Sequence, residues 1–485
     1  MHIRFLFTLF TFCISHSFVQ AAEPYILTGP QSETAEGQVH YIEVPENRAV
    51  KNSQKIRLGF VVLPHKNPQD KVKTKTANPI VYLSGGPGGS ATWTARGPRF
   101  PLFIAMTEIA DVVLFDQRGT GLSRNHLSDC TYQHNIPDEQ PLTQKSFLHN
   151  MTQATSFCAA QWRSAGIDLN GYNTLASVED LEALRKTLGV KKIDLWAISY
   201  GTHLALAMAK KYPDSIGKMV LASAEGLDET IKLPSLSDAQ LQRIAAEIAA
   251  DESARQKYPD LLKLMRDTLA SYNNEPMIID AKNPQTGEVT KLGVGAFDIQ
   301  LMTAGYMTGD REAIAMLPAF YQLLQQRDPA SISQFTGDKF LGMRQSLWTL
   351  NPMSMAMDAA SGISTERWQQ VQAQAQASIL GRAHNLPFPD VNAALGVTDL
   401  GEKFRAPLFS DIPTLIFSGS LDGRTFIESH RAIADKLSNA VFVSVERGGH
   451  NLFMSSPQIA ATMKDFYQGK PVNEGKIELD KITFF

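Results

Sequence analysis

The sequence predicts an α/β protein with a mostly parallel central sheet, helices on both faces of that sheet and an inserted helical cap domain. Three observations favour this class. Short apolar segments alternate with segments of helical periodicity up to residue 226. The alternation stops between residues 227 and 404, where helical patterns follow one another, and it resumes from residue 405. Strands that alternate with helices are typical of a parallel sheet, because the crossover helices pack on its faces.

The elements of the α/β domain are predicted in chain order. Two segments of strand character, residues 39–44 and 55–63, predict an early hairpin. Short apolar runs predict strands at residues 80–84, 112–116, 192–198 and 219–223. Apolar residues at helical spacing predict helices at residues 177–188 and 202–212, which Gly189 and Pro213 end.

The second half of the chain predicts the cap and the return of the α/β pattern. Residues 227–404 are expected to form helix after helix, for example at residues 236–269 and 365–379. The pattern then returns with strands at residues 413–418 and 440–445 and helices at residues 426–437 and 457–467. The predicted divisions are a signal peptide at residues 1–21, an α/β domain at residues 22–226 and 405–485, and a cap domain at residues 227–404.

The composition is that of a packed globular protein. Hydrophobic residues make up 43% of the 485 residues, charged residues make up 20%, and the formal net charge is −3. Proteins that bind nucleic acid or anionic membranes usually carry a basic face, so this charge balance favours neither partner. The three cysteines are too few for a cysteine-rich scaffold or a four-thiolate zinc site.

The first 21 residues have the pattern of a secretory signal peptide. An apolar run from residue 5 to residue 14 follows a weakly basic start, and small residues precede a cleavage position near Ala21. The run is too short to anchor the chain across the roughly 30 Å apolar layer of a bilayer. We therefore expect a secreted or periplasmic protein without stable membrane insertion after signal cleavage.

Export changes the interpretation of the cysteines. Cys13 lies within the signal, so Cys130 and Cys158 remain. An even pair in an oxidising compartment indicates one disulfide, with Cα atoms within about 7 Å. Two buried free thiols are the alternative.

A candidate nucleophile lies where the strand at residues 192–198 meets the next helix. A serine in such a sharp turn exposes its hydroxyl above the sheet, and only small residues fit beside it. Ser199 has Gly201 on one side, and Ala197 stands where the G-x-S-x-G pattern has its first glycine. We expect Ser199 to be the nucleophile.

An acid and a histidine follow later strands in the order that a Ser-acid-His triad requires in this kind of fold. Asp422 comes after the strand at residues 413–418, and His450 lies in a glycine-rich loop after the strand at residues 440–445. His450 would remove the Ser199 proton, and Asp422 would fix the imidazole tautomer. Asp422 as a turn former and His450 as a surface residue are the alternatives. His203, four residues after Ser199, is expected to be structural.

Two backbone N–H groups are expected to stabilise the oxyanion. One belongs to Tyr200, directly after the nucleophile, and the other to Gly86 in the sequence SGGPGGS. Glycine lets the backbone approach the substrate closely. A phosphate-binding loop is excluded, because no Lys-Ser/Thr follows and Pro87 removes a donor.

These motifs resemble those of the α/β-hydrolase serine peptidases, most of all the branch with proline iminopeptidases and tripeptidyl aminopeptidases. The motifs are SGGPGGS (84–90), DQRGTGLS (116–123), WAISYGT (196–202), GSLDGRT (419–425) and GGH (448–450). The resemblance implies the triad Ser199, Asp422 and His450 and the oxyanion positions Gly86 and Tyr200. It also implies cleavage of short peptides from a free N-terminus, without a metal or cofactor. Ser84 stands where many iminopeptidases have histidine, so proline specificity does not transfer.

Family members hold the substrate amino group with acidic residues in or near the cap, which makes acidic residues near the pocket candidates here. Glu225 follows the strand at residues 219–223, and Asp358 lies in a methionine-rich part of the cap. Asp228 and Glu229 are further candidates, with a helix N-terminal role as their alternative. Asp116 and Arg118 are expected to brace the oxyanion loop.

The resulting functional prediction is an exported serine aminopeptidase whose partner is a small peptide. A carboxylic-ester hydrolase with the same triad is the first alternative, and a non-catalytic binding protein on the same fold is the second. A carboxylate that projects into the pocket at the distance of a substrate N-terminus distinguishes the peptidase from the esterase. The sequence leaves protein partners open.

Overall fold

The structure is a computed structural model that describes residues 22–66, 77–344 and 347–485. The predicted signal peptide and almost all of the polar loop at residues 66–77 lie outside the described residues.

A ten-stranded sheet forms the centre of the described part of the chain. The first strands along the chain are β1 (Glu23–Thr28), β2 (Thr34–Pro45), β3 (Lys55–Leu63), β4 (Ile80–Leu83), β5 (Val112–Phe115), β6 (Cys130–Gln133), β7 (Ile193–Ile198) and β8 (Ile216–Ala222). The later ones are β9 (Met277–Lys282), β10 (Val289–Val294), β11 (Leu347–Leu350), β12 (Thr414–Gly419), β13 (Ala440–Glu446) and β14 (Gly475–Glu478).

The spatial order of the sheet is β1-β2-β3-β5-β4-β7-β8-β12-β13-β14. Strands β1, β2 and β3 pair antiparallel, and β3 pairs antiparallel with β5. All pairs from β5 to β14 are parallel. The carboxyl ends of β4, β7, β8, β12 and β13 therefore meet at one edge, as the positions of the predicted site residues require.

Helices connect and cover the strands. Those before β9 are α1 (Ala91–Arg96), α2 (Phe100–Met106), α3 (Gln144–Ser164), α4 (Thr174–Thr187), α5 (Tyr200–Lys211), α6 (Pro234–Ala250), α7 (Glu252–Lys257) and α8 (Leu261–Asn274). Those after it are α9 (Ala296–Met302), α10 (Arg311–Gln326), α11 (Pro329–Met343), α12 (Pro352–Ser361), α13 (Thr365–Ala375), α14 (Asn392–Leu395), α15 (Glu402–Arg405), α16 (Ile427–Ala434) and α17 (Pro457–Tyr467).

The sheet is buried on both faces, which explains its continuous apolar strands. In β4 the side chains of Ile80 and Tyr82 join one hydrophobic core, and those of Val81 and Leu83 join the core on the opposite face. A third core, which includes Leu241 and Tyr321, lies within the cap. The predicted α/β class is therefore confirmed.

The expectation of an all-helical cap was wrong in part. Strands β9 and β10 form an antiparallel hairpin, and β11 pairs with β6 of the α/β domain. The buried positions of β9 alternate, but over six residues, which is too short to stand out from helical patterns around it. The pairing of β11 with β6 joins segments that are far apart in the chain, and neither segment has a sequence pattern that indicates it.

The long helix expected at residues 236–269 is also interrupted. Three helices, α6, α7 and α8, occupy this region. Asp251 caps α7 by accepting a hydrogen bond from Ala254 N at 2.7 Å, and Asp260 caps α8 through Lys263 N at 2.9 Å. Aspartate side chains that accept from backbone N–H groups two or three positions ahead start helices, so each aspartate begins a new one.

The predicted disulfide between Cys130 and Cys158 is present. Its Cα atoms are 5.6 Å apart, and its sequence separation is 28. It joins β6 to α3 beside the pairing of β6 with β11, where Cys130 lies opposite Leu350. The bond therefore supports the strand pair from which α12 of the cap begins.

Replacing both cysteines with serine is expected to lower the free energy of unfolding by about 3–4 kcal/mol, because the open loop regains freedom in the unfolded chain. Urea unfolding of the double variant and of the wild type measures the difference. Wild type under reductant is the matched control and should show the same loss. Equal unfolding midpoints would contradict the prediction.

Candidate active site

Ser199 lies in a sharp turn between β7 and α5. Its backbone has φ 54° and ψ −133°, a conformation that non-glycine residues rarely adopt and that is typical of a strained strand-to-helix turn. A Cβ atom at Gly201 would overlap the carbonyl oxygen of Leu83, so only glycine fits there. A Cβ atom at Gly85 would lie 2.8 Å from Ser199 Cβ, so the glycine loop passes directly beside the serine.

Asp422 and His450 form a buried pair. Both carboxylate oxygens of Asp422 lie 3.0 Å from His450 Nδ1. The same carboxylate accepts hydrogen bonds from the backbone N–H groups of Arg424 and Thr425, at 2.9 and 3.0 Å, and from the Thr425 hydroxyl at 2.9 Å. Burial opposes ionisation of Asp422, but the charge and hydrogen bond of His450 outweigh it and hold the pKa well below its ordinary value.

The end of β8 connects the serine turn with the histidine loop. Ser199 N donates to Ala222 O at 3.1 Å, and the hydroxyl of Ser223 donates to His450 O at 2.8 Å. The cap holds the loop from the other side, since His450 N donates to Gly309 O at 2.8 Å. Among the described residues no hydrogen bond joins Ser199 Oγ to His450. Such bonds are often long in free enzymes and tighten when substrate binds.

The glycine loop after β4 is fixed from two sides. Gln117 Nε2 donates to Ser84 O at 3.0 Å, and the hydroxyl of Ser354 in the cap donates to Pro87 O at 2.8 Å. A side chain at Gly88 would overlap Ser354 Oγ. Gly86, with φ 124°, lines the same cavity as Ser199. Sequence reasoning missed Ser354, because nothing in its local sequence indicates contact with a loop more than 260 residues away.

Asp116 braces the glycine loop as expected, but the side-chain hydrogen bonds of Arg118 go to Asp180, Glu46 O and Gly171 O and not to that loop. Asp116 accepts hydrogen bonds from the Ser90 hydroxyl at 2.8 Å and from Thr92 N at 3.1 Å, so it holds the end of the glycine loop. Arg118 binds both oxygens of Asp180, each at 2.7 Å, in the interior of the protein.

A cavity of about 550 Å³ lies between the sheet edge and the cap. Ser199 and Gly86 line it together with the charged residues Glu225, Lys232, Asp358 and Arg424 and with His384. Its remaining walls are largely apolar. The described residues contain no group of three or more His, Cys, Asp or Glu side chains that could hold a metal ion.

Glu225 reaches this cavity but already has a partner. Its Oε2 lies 2.7 Å from Lys232 Nζ, and both side chains are largely buried. The same ammonium donates to Glu229 O at 2.6 Å. His203 Nδ1 lies 3.9 Å from Glu225 Oε1. The negative charge of Glu225 is therefore balanced within the protein.

The carboxyl group of Asp358 projects from α12 into the cavity and has no hydrogen bond or ion pair with any described residue. Burial and the nearby charge of Glu225 raise its pKa to about 8, against the partial opposition of Lys232. At neutral pH Asp358 is therefore mainly protonated before substrate binds.

The raised pKa of Asp358 predicts a stability effect that depends on pH. The unfolded chain loses this proton near pH 4, and the folded protein loses it near pH 8, so wild type loses stability as the pH rises between these values. Asp358→Asn removes the titration. The difference in free energy of unfolding, variant minus wild type, should therefore rise by about 1–3 kcal/mol from pH 4.5 to pH 8.5. Urea unfolding at both pH values measures it, and a constant difference would contradict the prediction.

Three other sequence candidates have structural partners. Asp228 accepts from Ser364 N at 2.8 Å, and Glu229 accepts from Gly226 N at 2.9 Å, so both serve the backbone and neither lines the cavity with Ser199. His203 is fully buried, with Nδ1 3.1 Å from Gly226 O and Nε2 3.4 Å from Ser361 Oγ.

Two family models match this chain. One, described as the alpha/beta hydrolase fold, covers residues 78–285, and one described as TAP-like protein covers residues 386–475. The chain has the α/β-hydrolase fold. The first match contains Ser199 and the second contains Asp422 and His450, so both halves of the candidate site lie within regions of this chain that the models recognise.

The chain is similar to curated proteins of the branch that the motifs predicted. It is 26% identical over 198 residues to the tripeptidyl aminopeptidase of Streptomyces lividans, across 38% of this chain and 35% of the relative. It is 30% identical over 164 residues to the serine protease Hip1 of Mycobacterium tuberculosis, across 32% and 30%. It is 29% identical over 143 residues to the proline iminopeptidase of Xylella fastidiosa, across 30% and 31%. The chain therefore spans about a third of each relative's length.

Proposed function

We propose that this protein is a serine aminopeptidase that cleaves short peptides near a free N-terminus. The observation that carries the proposal is the carboxyl group of Asp358, which has no hydrogen-bond or ion-pair partner among the described residues and lines the cavity that contains Ser199. Its charged form is costly there without a partner, and a substrate ammonium would supply that partner. A neutral ester carries no positive charge that the Asp358 carboxylate could bind.

The chemistry follows from the triad. His450 takes the proton of Ser199 while the serine oxygen attacks the peptide carbonyl. The hydrogen bond from Nδ1–H to Asp422 keeps Nε2 free to accept that proton, and the ionised Asp422 stabilises the imidazolium. His450 then gives the proton to the leaving amine, an acyl-enzyme forms on Ser199, and water hydrolyses it in the second half of the reaction.

The oxyanion is assigned to the N–H groups of Tyr200 and Gly86. The close packing of Gly85 on Ser199 supports this role, because it brings the glycine loop against the nucleophile. The braces from Gln117 and Ser354 keep the loop in place before substrate arrives. Loss of one such donor typically costs about 100- to 1,000-fold in rate.

The N-terminus of the substrate is assigned to Asp358, with Glu225 and Lys232 beside it. Asp358 is mainly protonated at neutral pH before substrate binds, and an incoming ammonium stabilises its charged form. A blocked amine cannot do so. The site therefore selects for a free α-amine through the charge that only such a substrate brings.

A panel of chromogenic substrates tests the proposal. The panel contains aminoacyl and tripeptidyl p-nitroanilides, their N-acetylated counterparts, and small p-nitrophenyl esters without an amine. We expect kcat/KM to be highest for free amines and to fall on acetylation. A preference for N-acetylated substrates or simple esters would overturn the aminopeptidase and support the carboxylic-ester hydrolase.

We also propose that the enzyme acts after export, in the periplasm or the medium. The predicted signal peptide and the disulfide between Cys130 and Cys158 support this. Within the described ranges, none of the helices has the length and apolar character needed to cross a membrane. Cell fractionation with a cytoplasmic marker tests it, and retention with that marker would contradict export.

A further inference from the structure

The charges that line the cavity leave one cation without an acidic partner. Lys232 is neutralised by Glu225. Arg424 also lines the cavity, but its only side-chain hydrogen bond with described residues runs from one terminal nitrogen to Gly305 O, at 3.0 Å. Its guanidinium is exposed and has no carboxylate within ion-pair distance in the described ranges.

Arg424 lies on the histidine side of the cavity. Gly309 contacts both groups: its carbonyl accepts the hydrogen bond from His450 N at 2.8 Å, and a Cβ atom added to it would lie 2.7 Å from Arg424 Nε. The guanidinium and the histidine loop therefore share one short segment of the cap. Because His450 protonates the leaving amine, this side of the cavity faces the leaving part of the substrate.

Asp358, the acidic residue whose side chain has no partner among the described residues, lies in another part of the cavity from Arg424. Asp358 projects from α12, whereas Arg424 lies against Gly309, the residue that also binds the His450 loop. The cavity has an acidic position for the acyl side and a basic position for the leaving side.

We propose that Arg424 binds the free C-terminal carboxylate of the leaving peptide and so restricts the enzyme to short peptides. A guanidinium presents paired N–H donors that match both oxygens of a carboxylate, which makes it a stronger and more directional partner than an ammonium. Gly305 O holds one terminal nitrogen and so orients the group. This inference rests on the proposed aminopeptidase function and adds the feature that limits substrate length.

The position of Arg424 allows a clean test, because it serves Asp422 through its backbone N–H, which any side-chain substitution leaves in place. The substrates are Ala-Ala-Ala and its C-terminal amide, which share the free amine and the scissile bonds and differ in the terminal charge. For wild type we expect kcat/KM about 10- to 100-fold higher for the acid. Arg424→Gln should remove this preference by lowering kcat/KM for the acid to about the value for the amide.

Two further variants serve as controls. Arg424→Lys keeps the positive charge but lacks the paired N–H donors of the guanidinium. It should therefore retain part of the preference for the acid over the amide. Arg311→Gln makes the same change at a residue that donates to Asp480 O and does not line the cavity, and it should behave as wild type.

Several results would overturn the inference. Equal wild-type cleavage of acid and amide would overturn the role of Arg424 while leaving the aminopeptidase intact. An equal loss on both substrates in Arg424→Gln would show a purely structural role. If wild type cleaved neither peptide but hydrolysed simple esters, the proposed function would fail, and this inference with it.

Discussion

Ser199→Ala is expected to lower kcat on an aminoacyl p-nitroanilide by roughly 10⁴- to 10⁶-fold, because it removes the atom that forms the acyl-enzyme. Folding should be unaffected, since Ser199 Oγ makes no hydrogen bond with other described residues. A fluorophosphonate probe should label wild type and not the variant. Near-UV circular dichroism and the thermal midpoint should match those of wild type.

A double variant tests whether Ser199 and His450 act as one unit. If they do, His450→Ala should cost nearly as much as Ser199→Ala, and the combination should cost little more than either alone. Ser455→Ala, whose hydroxyl donates to Leu452 O, is the matched serine control and should be labelled normally. Labelling that persists in Ser199→Ala would place the nucleophile elsewhere. Additive losses would show that the two residues do not cooperate.

The α/β fold and the location of the candidate triad residues after strands of one sheet could be predicted from the sequence because they depend on local patterns. Each candidate follows an apolar strand, and parallel strands bring their carboxyl ends to one edge. The paired Asp422 and His450 illustrate this. They are 28 residues apart, yet β12 and β13 pair directly and place them side by side.

The substrate side of the site could not be predicted in the same way, because it depends on contacts between the cap and the α/β domain. Glu225 was the first amine candidate, since it follows β8. Its pairing with Lys232 depends on how the chain turns after residue 226, and no periodic pattern encodes that turn. Asp358 and Ser354 reach the site only because β11 joins β6 and directs α12 over the glycine loop.

Asp358→Asn is expected to lower kcat/KM for free-amine peptides by about 100- to 1,000-fold, because the ammonium loses its charged partner. Hydrolysis of a small neutral ester should hardly change, since the triad is untouched and the variant keeps the shape of the side chain. Glu225→Gln is the comparison. This substitution leaves Lys232 without its carboxylate, so the cavity becomes more positive. It should therefore also lower kcat/KM for free-amine substrates, and it should lower the free energy of unfolding. Equal effects of Asp358→Asn on peptide and ester would show that Asp358 is structural.

Proton exchange on binding gives an independent readout of the same role. With a pKa of about 8, Asp358 is mostly protonated at pH 7 before substrate binds and must ionise to pair with an ammonium. Binding of Ala-Ala-Ala to Ser199→Ala, which cannot turn it over, should therefore release close to one proton at about pH 7, and the release should fade as the pH rises through 8. Calorimetry in buffers of different ionisation enthalpy measures this number. Adding Asp358→Asn to the inactive variant should abolish the release, whereas release that survives the substitution would assign the proton, and the amine site, to another group.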